Sequence, residues 1–193
     1  MYPRLVERAS QVVRQGWAAA TIELPWSGAR PPSASVDSAR AELRGALARR
    51  EPVGEEIVDR LVLPLVEAAV PEWRALLDGL LALPGIAGPI GYSGGFIAIA
   101  TRLAAVESRI AAAVLFAGSV VPRSTFADAR NVAVPLLVLL QWDDEHNDRQ
   151  QALDLFDAYA SPQKTLHANL GGHTGVPSFE REEVSRFFAR HLT

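Results

Sequence analysis

Gly91-Tyr92-Ser93-Gly94-Gly95 has the spacing of a reactive serine held in a tight turn. Residues 85–90 ahead of it are short and apolar, which predicts a buried strand, and residues 96–104 behind it carry apolar side chains at helical spacing. A Gly-x-Ser-x-Gly between a strand and a helix is the nucleophile-elbow pattern. Its glycines follow from crowding, because side chains two positions either side of the serine would collide with the neighbouring strand and helix. The expectation is a strained Ser93 with positive φ, its Oγ lifted clear of the sheet beside helix N–H groups that favour negative charge.

A serine hydroxyl is a poor nucleophile at neutral pH and needs a base within hydrogen-bond reach. The chain offers four histidines. His191 falls on the terminal helix, His167 inside the last predicted strand, and His146 among acidic residues on a loop. His173 stands in the loop Leu170-Gly171-Gly172-His173-Thr174-Gly175, which leaves the carboxyl end of a strand, where ligand sites of open α/β sheets collect. It is the expected base. A base also needs a carboxylate to hold its tautomer and stabilise the imidazolium. The run Trp142-Asp143-Asp144-Glu145 reaches the same edge of the sheet and precedes His173, giving the order serine, acid, histidine. Asp144 is the first choice among these acids, Asp143 the second and Glu145 the third.

The elements that must position these groups alternate. Residues 3–15 predict a helix with Leu5, Val6, Ala9, Val12 and Val13 on one stripe and Gly16 as the stop. Residues 17–25 read as a strand buried on both faces, followed by a loop over 26–32. Three helices are expected next, over 35–50, over 55–69 with a kink at Pro64, and from Pro71 to just before Pro84. This region, about 34–82, is a candidate cap or crossover layer. Strands over 111–118, 135–141 and 164–170 follow, with a partly helical loop over 119–134. Helices over 149–160 and 178–191 complete the pattern, the last one capped by Ser178. Strands alternating with helices indicate an α/β fold, a mostly parallel sheet of about five strands flanked by helices, in one domain over residues 1–193.

Composition narrows the function. The 193 residues are 49% hydrophobic and 21% charged, ordinary for a soluble domain, and the net charge of −3 offers nothing to nucleic acid or an anionic membrane. Cysteine is absent, which excludes disulfides, thiolate metal sites and a cysteine nucleophile. No signal-peptide core opens the chain, and no stretch approaches the roughly 20 apolar residues of a membrane span. The expectation is a cytoplasmic protein, and the serine, acid and histidine read above would act on a small molecule with no cofactor or metal implied.

Gly91-Tyr92-Ser93-Gly94-Gly95, Gln141-Trp142-Asp143-Asp144-Glu145 and Gly171-Gly172-His173 together resemble the α/β-hydrolase superfamily, and within it the dienelactone-hydrolase-like and small serine esterase branch. The resemblance covers nearly the whole chain, with residues 3–32 similar to that fold's first major helix, fourth strand and following loop. It implies Ser93 as nucleophile, Asp144 as acid and His173 as base, with Gly94 and Tyr92 at the oxyanion or substrate-binding position. Dienelactone hydrolases carry cysteine at the elbow. Serine here tilts the expected substrate toward ordinary carboxylic esters, cleaved through an acyl-enzyme.

The family's other oxyanion donor comes from a loop before its first major helix, which here begins near Pro3. The three preceding strands have no counterpart, so the chain is expected to be N-terminally truncated, with residues 18–25 exposed or poorly paired and with better folding and activity in a form extended upstream. The rival expectations are a catalytically impaired hydrolase domain or binding module, and an acyltransferase or thioesterase using the same triad.

Overall fold

The computed structural model describes residues 2–192, with side chains from Leu5 onward. Among these residues four strands form one parallel sheet in the order β1-β2-β3-β4: β1 Ile90–Ser93, β2 Ile110–Phe116, β3 Leu136–Gln141 and β4 Lys164–Asn169. Seven helices surround them: α1 Tyr2–Arg14, α2 Ala34–Ala48, α3 Glu55–Leu81, α4 Ile97–Val106, α5 Arg123–Ala129, α6 Arg149–Ala158 and α7 Glu180–His191.

The inner strands explain why both faces are covered. In β2 and β3 successive side chains point to opposite faces, and both sets are apolar. Ala113, Leu115, Leu136 and Val138 join a core with α3, α4 and α6. Ala112, Val114, Leu137 and Leu139 join a second core with Phe187 and Phe188 of α7. Every residue of β3 is buried. The register sets Ser93 beside Val114, Phe116 beside Leu139 and Gln141 beside Asn169, so all four strands end at one edge of the sheet. Gly91 lets α7 approach β1, since a Cβ there would lie 2.7 Å from the Phe188 ring. The sequence's one lysine, Lys164, closes α6 by donating to the carbonyls of Phe156, Asp157 and Tyr159.

Three expectations need correction. The fifth strand is missing: residues 17–24 take no regular structure, and Ala18, Ala19, Ala20 and Thr21 are exposed, in line with the exposure expected over 18–25 and against burial on both faces. A run of β-compatible residues becomes a strand only beside another strand, and none of the four pairs with it. The helices expected over 55–69 and from Pro71 are a single helix, α3, with Pro64 and Pro71 inside it. Each internal proline costs about 3 kcal/mol. Leu61, Leu65, Ala69 and Leu77 nevertheless keep one buried stripe across both prolines, at about 1.5–3 kcal/mol per large side chain, so a continuous helix wins. Finally, α7 begins at Glu180 with Phe179 at its N-cap position and no side-chain cap, so Ser178 does not serve.

α2 and α3 pack on each other and against α4. Val36, Ala39, Val58, Leu61, Val62 and Leu65 pack together and onto Ala98 of α4. The far end of α3 is tied to the sheet through Glu107, whose side chain is 3% exposed. Arg109 donates from Nε to Glu107 Oε1 at 2.7 Å and from Nη2 to Oε2 at 2.7 Å, Arg74 of α3 adds a longer bond, and Arg109 Nη1 reaches Asp78 at 2.6 Å. The Arg109 hydrogen bonds hold the Glu107 carboxyl down at about 2. A carboxylate whose folded value lies below its ordinary 4.5 contributes stability above that ordinary value and loses it as pH falls toward 2. Glu107→Gln is therefore expected to destabilise the fold at pH 7 by about 1–3 kcal/mol. The gap to wild type should close as pH drops from 4.5 toward 2, read from urea denaturation midpoints across that range.

Candidate active site

Burial of β3 up to Gln141 leaves the next residues at the carboxyl edge of the sheet. There Trp142 N–H donates to Asn169 O at 2.7 Å, which keeps the loops after β3 and β4 side by side. The Arg149 guanidinium lies 4.2 Å above the Trp142 ring and donates to the Trp142 carbonyl. Asp148 caps α6 through Gln151 N–H, and its own N–H donates to Ser119 Oγ. The acid loop is thus held from both sides.

The two aspartates in it have different tasks. Asp143 Oδ1 accepts from the N–H groups of Gly171 and Gly172 at 2.8 and 2.9 Å. Those bonds favour its charged form and hold its pKa below the usual carboxylate range. Gln141 Nε2 adds a bond to Gly172 O at 3.2 Å, while its buried Oε1 has no partner among the described residues. Asp144 accepts His146 N–H on Oδ1 at 2.9 Å and meets His173 Nδ1 through Oδ2 at 2.7 Å. The Asp144 side chain is 5% exposed and the His173 ring 68% exposed. A carboxylate so placed accepts a hydrogen bond from Nδ1–H and so leaves Nε2 as the nitrogen with the free lone pair. Glu145 lines a neighbouring cavity instead of touching His173.

Ser93 is exposed at the end of β1. Its Oγ accepts from Arg8 Nη2 at 2.7 Å, and among the described residues no hydrogen bond joins it to His173. Its backbone also departs from the expected strain. Ser93 completes the strand without positive φ, and the left-handed turn falls on Gly94 at +87° and Gly95 at +74°. The reason is the ladder: Gly94 N–H still donates to Val114 O at 2.9 Å, so pairing runs through Ser93 and the turn begins one residue later. That bond occupies the N–H the resemblance assigns to the oxyanion. Tyr92, assigned beside it, is buried against Trp73, rings edge to face at 5.6 Å, and burial pushes its phenol up to about 12. Its side chain belongs to the core.

The other histidines have separate surroundings. His167 Nδ1 and Asn169 Nδ2 lie 2.9 and 2.8 Å from the two oxygens of Glu180, which is 2% exposed and joins β4 to the start of α7. His191 packs against Phe187. His146, read from sequence as a loop residue among acids, stands with its ring 6.4 Å from that of His173. It also lines a cavity of about 880 Å³ between the α2–α3 connection and the loops after β2 and β3, with Val53, Val58, Val121, Phe126 and Arg123 among its walls. Sequence reasoning missed Arg8 and the clamping role of Asp143. Nothing in the spacing of α1 marks Arg8, whereas Asp143 was visible as one of three adjacent acids.

No protein-family model matches the sequence, and no curated protein matches it. Solved structures do. The polyethylene-glycol-bound complex of a cold-adapted esterase from an Arctic intertidal metagenomic library aligns with a TM-score of 0.73 at 28% identity, over 97% of this chain and 75% of that one. The zinc-bound structure of a cold-adapted esterase from such a library aligns at 0.63 and 26% identity, over 81% and 78% of the two chains. Dienelactone hydrolase from Anabaena variabilis shares the fold at a TM-score of 0.56 and 15% identity, over 83% and 82%.

The Asp143 clamp has a measurable consequence. Hydrogen bonds to a charged acceptor are stronger than neutral ones. Asp143→Ala should speed amide exchange at Gly171 and Gly172 by roughly an order of magnitude, while Asp143→Asn, which keeps an acceptor oxygen, should change it much less. Asp144→Ala should leave both amides protected. Hydrogen–deuterium exchange resolved to the 170–175 loop checks the ranking, and equal protection in all three variants would remove the clamp.

Proposed function

We propose that the chain, which shares the fold of solved esterases and of a dienelactone hydrolase, is an α/β-hydrolase-type serine hydrolase cleaving small carboxylic esters. The observation that carries this reading is the 2.7 Å bond between the buried Asp144 carboxylate and the exposed His173 ring. Ser93 stands at the carboxyl end of β1 in the same sheet edge. Likeness to solved esterases at 28% and 26% identity supports the choice of ester chemistry.

In this reading His173 Nε2 takes the Ser93 Oγ proton as Oγ attacks the ester carbonyl. Asp144 keeps the Nδ1 proton in place and stabilises the imidazolium. Collapse of the tetrahedral intermediate breaks the carbonyl–alkoxy bond, and the leaving alcohol takes the proton from Nε2. Water, deprotonated by the same nitrogen, then releases the acid. The cavity beside His146 is large enough for one arm of the ester, with apolar walls from Val53, Val58, Val121 and Phe126. The proposed setting is the cytoplasm.

A second reading has its own support. With Gly94 N–H committed to Val114 O and Ser93 Oγ to Arg8, the chain would be a hydrolase-derived domain that no longer turns over. One experiment separates the two. The wild-type chain should label with a fluorophosphonate probe at Ser93 and hydrolyse short p-nitrophenyl esters. Ser93→Ala should abolish labelling and lower kcat by roughly 10⁴–10⁶-fold, with an unchanged circular dichroism spectrum. An unlabelled, inactive wild type favours the second reading, and turnover by Ser93→Ala at the parent rate removes Ser93 from the mechanism.

A further inference from the structure

The nucleophile is met by a cation from a distant part of the chain, and three observations fix that contact. Arg8 Nη2 donates to Ser93 Oγ at 2.7 Å. The guanidinium is held over the Phe116 ring, 5.5 Å from its centroid, at the end of the strand beside β1. It also lies close to the turn after the serine, where a Cβ on Gly94 would stand 2.9 Å from Nη1 and 3.0 Å from Nη2. The bare glycine at position 94 therefore does two things. It takes the left-handed φ, and it leaves room for the arginine head group.

The surroundings leave that charge available. No carboxylate among the described residues acts on Arg8. Partial burial draws its pKa below the ordinary arginine value, with the Tyr92 hydroxyl the one other titratable group acting on it. Meanwhile the N–H of Gly94, the donor a serine hydrolase would turn toward the oxyanion, is bonded to Val114 O. A half-buried guanidinium with two N–H-bearing nitrogens beside the nucleophile is suited to the missing task. From these positions we infer that Arg8 is a catalytic residue, donating to Ser93 Oγ before attack and to the carbonyl oxygen as it becomes an oxyanion.

The inference rests on the reading of Ser93 as nucleophile. During acylation the Oγ–carbon bond forms, the Oγ proton passes to His173, and the carbonyl π electrons move onto oxygen, where the Arg8 N–H groups meet them. When the intermediate collapses, those electrons reform the carbonyl, the alkoxy bond breaks and the alcohol leaves with the histidine's proton. Arg8 keeps all its protons throughout. A positioned donor of this kind is typically worth about 10²–10³ in kcat and little in ground-state binding.

The test compares wild type with Arg8→Ala, Arg8→Lys and Arg8→Gln, using p-nitrophenyl acetate turnover and the rate of fluorophosphonate labelling at Ser93. Arg8→Ala should lose about 10²–10³ in kcat with KM within a few-fold of wild type. Arg8→Lys, which keeps the charge, should retain more activity than Arg8→Gln, which keeps only a neutral donor. Millimolar methylguanidinium should restore part of the kcat of Arg8→Ala and leave wild type unchanged. If Arg8→Ala does not fold, the lysine–glutamine ranking decides alone. Labelling and turnover in Arg8→Ala or Arg8→Gln at or above the wild-type rate would overturn the inference and make Arg8 a cover over the serine. A wild type that does not label at Ser93 would remove the nucleophile itself, and Arg8's role with it.

Discussion

β3 has no exposed residue, and the arrangement of the site depends on that constraint. A strand covered on both faces must have apolar partners above and below it. Leu136 and Val138 take theirs from α3, α4 and α6, and Leu137 and Leu139 take theirs from α7. Because a slip along the strand would draw the polar residues after the apolar run into the buried sheet, the point where its apolar run ends is fixed. That point is Gln141, followed at once by the acids. Asp143 and Asp144 are therefore delivered to one height above the sheet by core packing, before any polar contact forms.

Polar contacts then divide the work between neighbours only one residue apart. Asp143 is spent on the backbone of Gly171 and Gly172, and Asp144 on the ring of His173. The first pair of bonds holds the loop after β4 where the second can form. Gln141 reinforces the loop through Gly172 O at the expense of a buried oxygen without a partner among the described residues, a cost of about 1–3 kcal/mol. A site that tolerates such a cost is one in which loop placement outweighs local satisfaction. Glu180 repeats the logic behind the loop, where one buried carboxylate engages both His167 and Asn169 and locks the exit of β4 to α7.

At the other edge the sheet ends at β1, and its shortness has chemical consequences. Pairing with β2 continues through Ser93 and the N–H of Gly94, so the turn falls on two glycines and the serine remains strand-like. Ladder hydrogen bonds are obligatory for buried backbone groups, and here the ladder takes the donor that the local motif would reserve for an oxyanion. α1 lies close enough to answer with Arg8. α1 is in turn docked on α7 by Gln11 to Ser185 and by the Glu7–Arg181 ion pair. The helix that supports β4 therefore also places the cation at β1.

Local pattern alone determined the motif and the alternation of inner strands and helices, and it narrowed the candidate acid to three adjacent residues and the candidate base to His173. A strand with apolar residues at every position, an Asp-Asp-Glu run at its end and a Gly-Gly-His loop after the next strand leave few arrangements of Asp144 and His173. Only tertiary structure decided the rest. Residues 17–24 have strand-like composition, yet strand formation needs a bonded neighbour and none of the four strands supplies one. Pro64 and Pro71 look like helix ends, yet one buried stripe on both sides of them keeps α3 whole. Whether the N–H of Gly94 faces solvent or Val114, and whether a cation stands over Ser93, depends on contacts between residues far apart in the chain. Period and spacing record what a segment does with its own backbone. They are silent on which distant segment will share its hydrogen bonds.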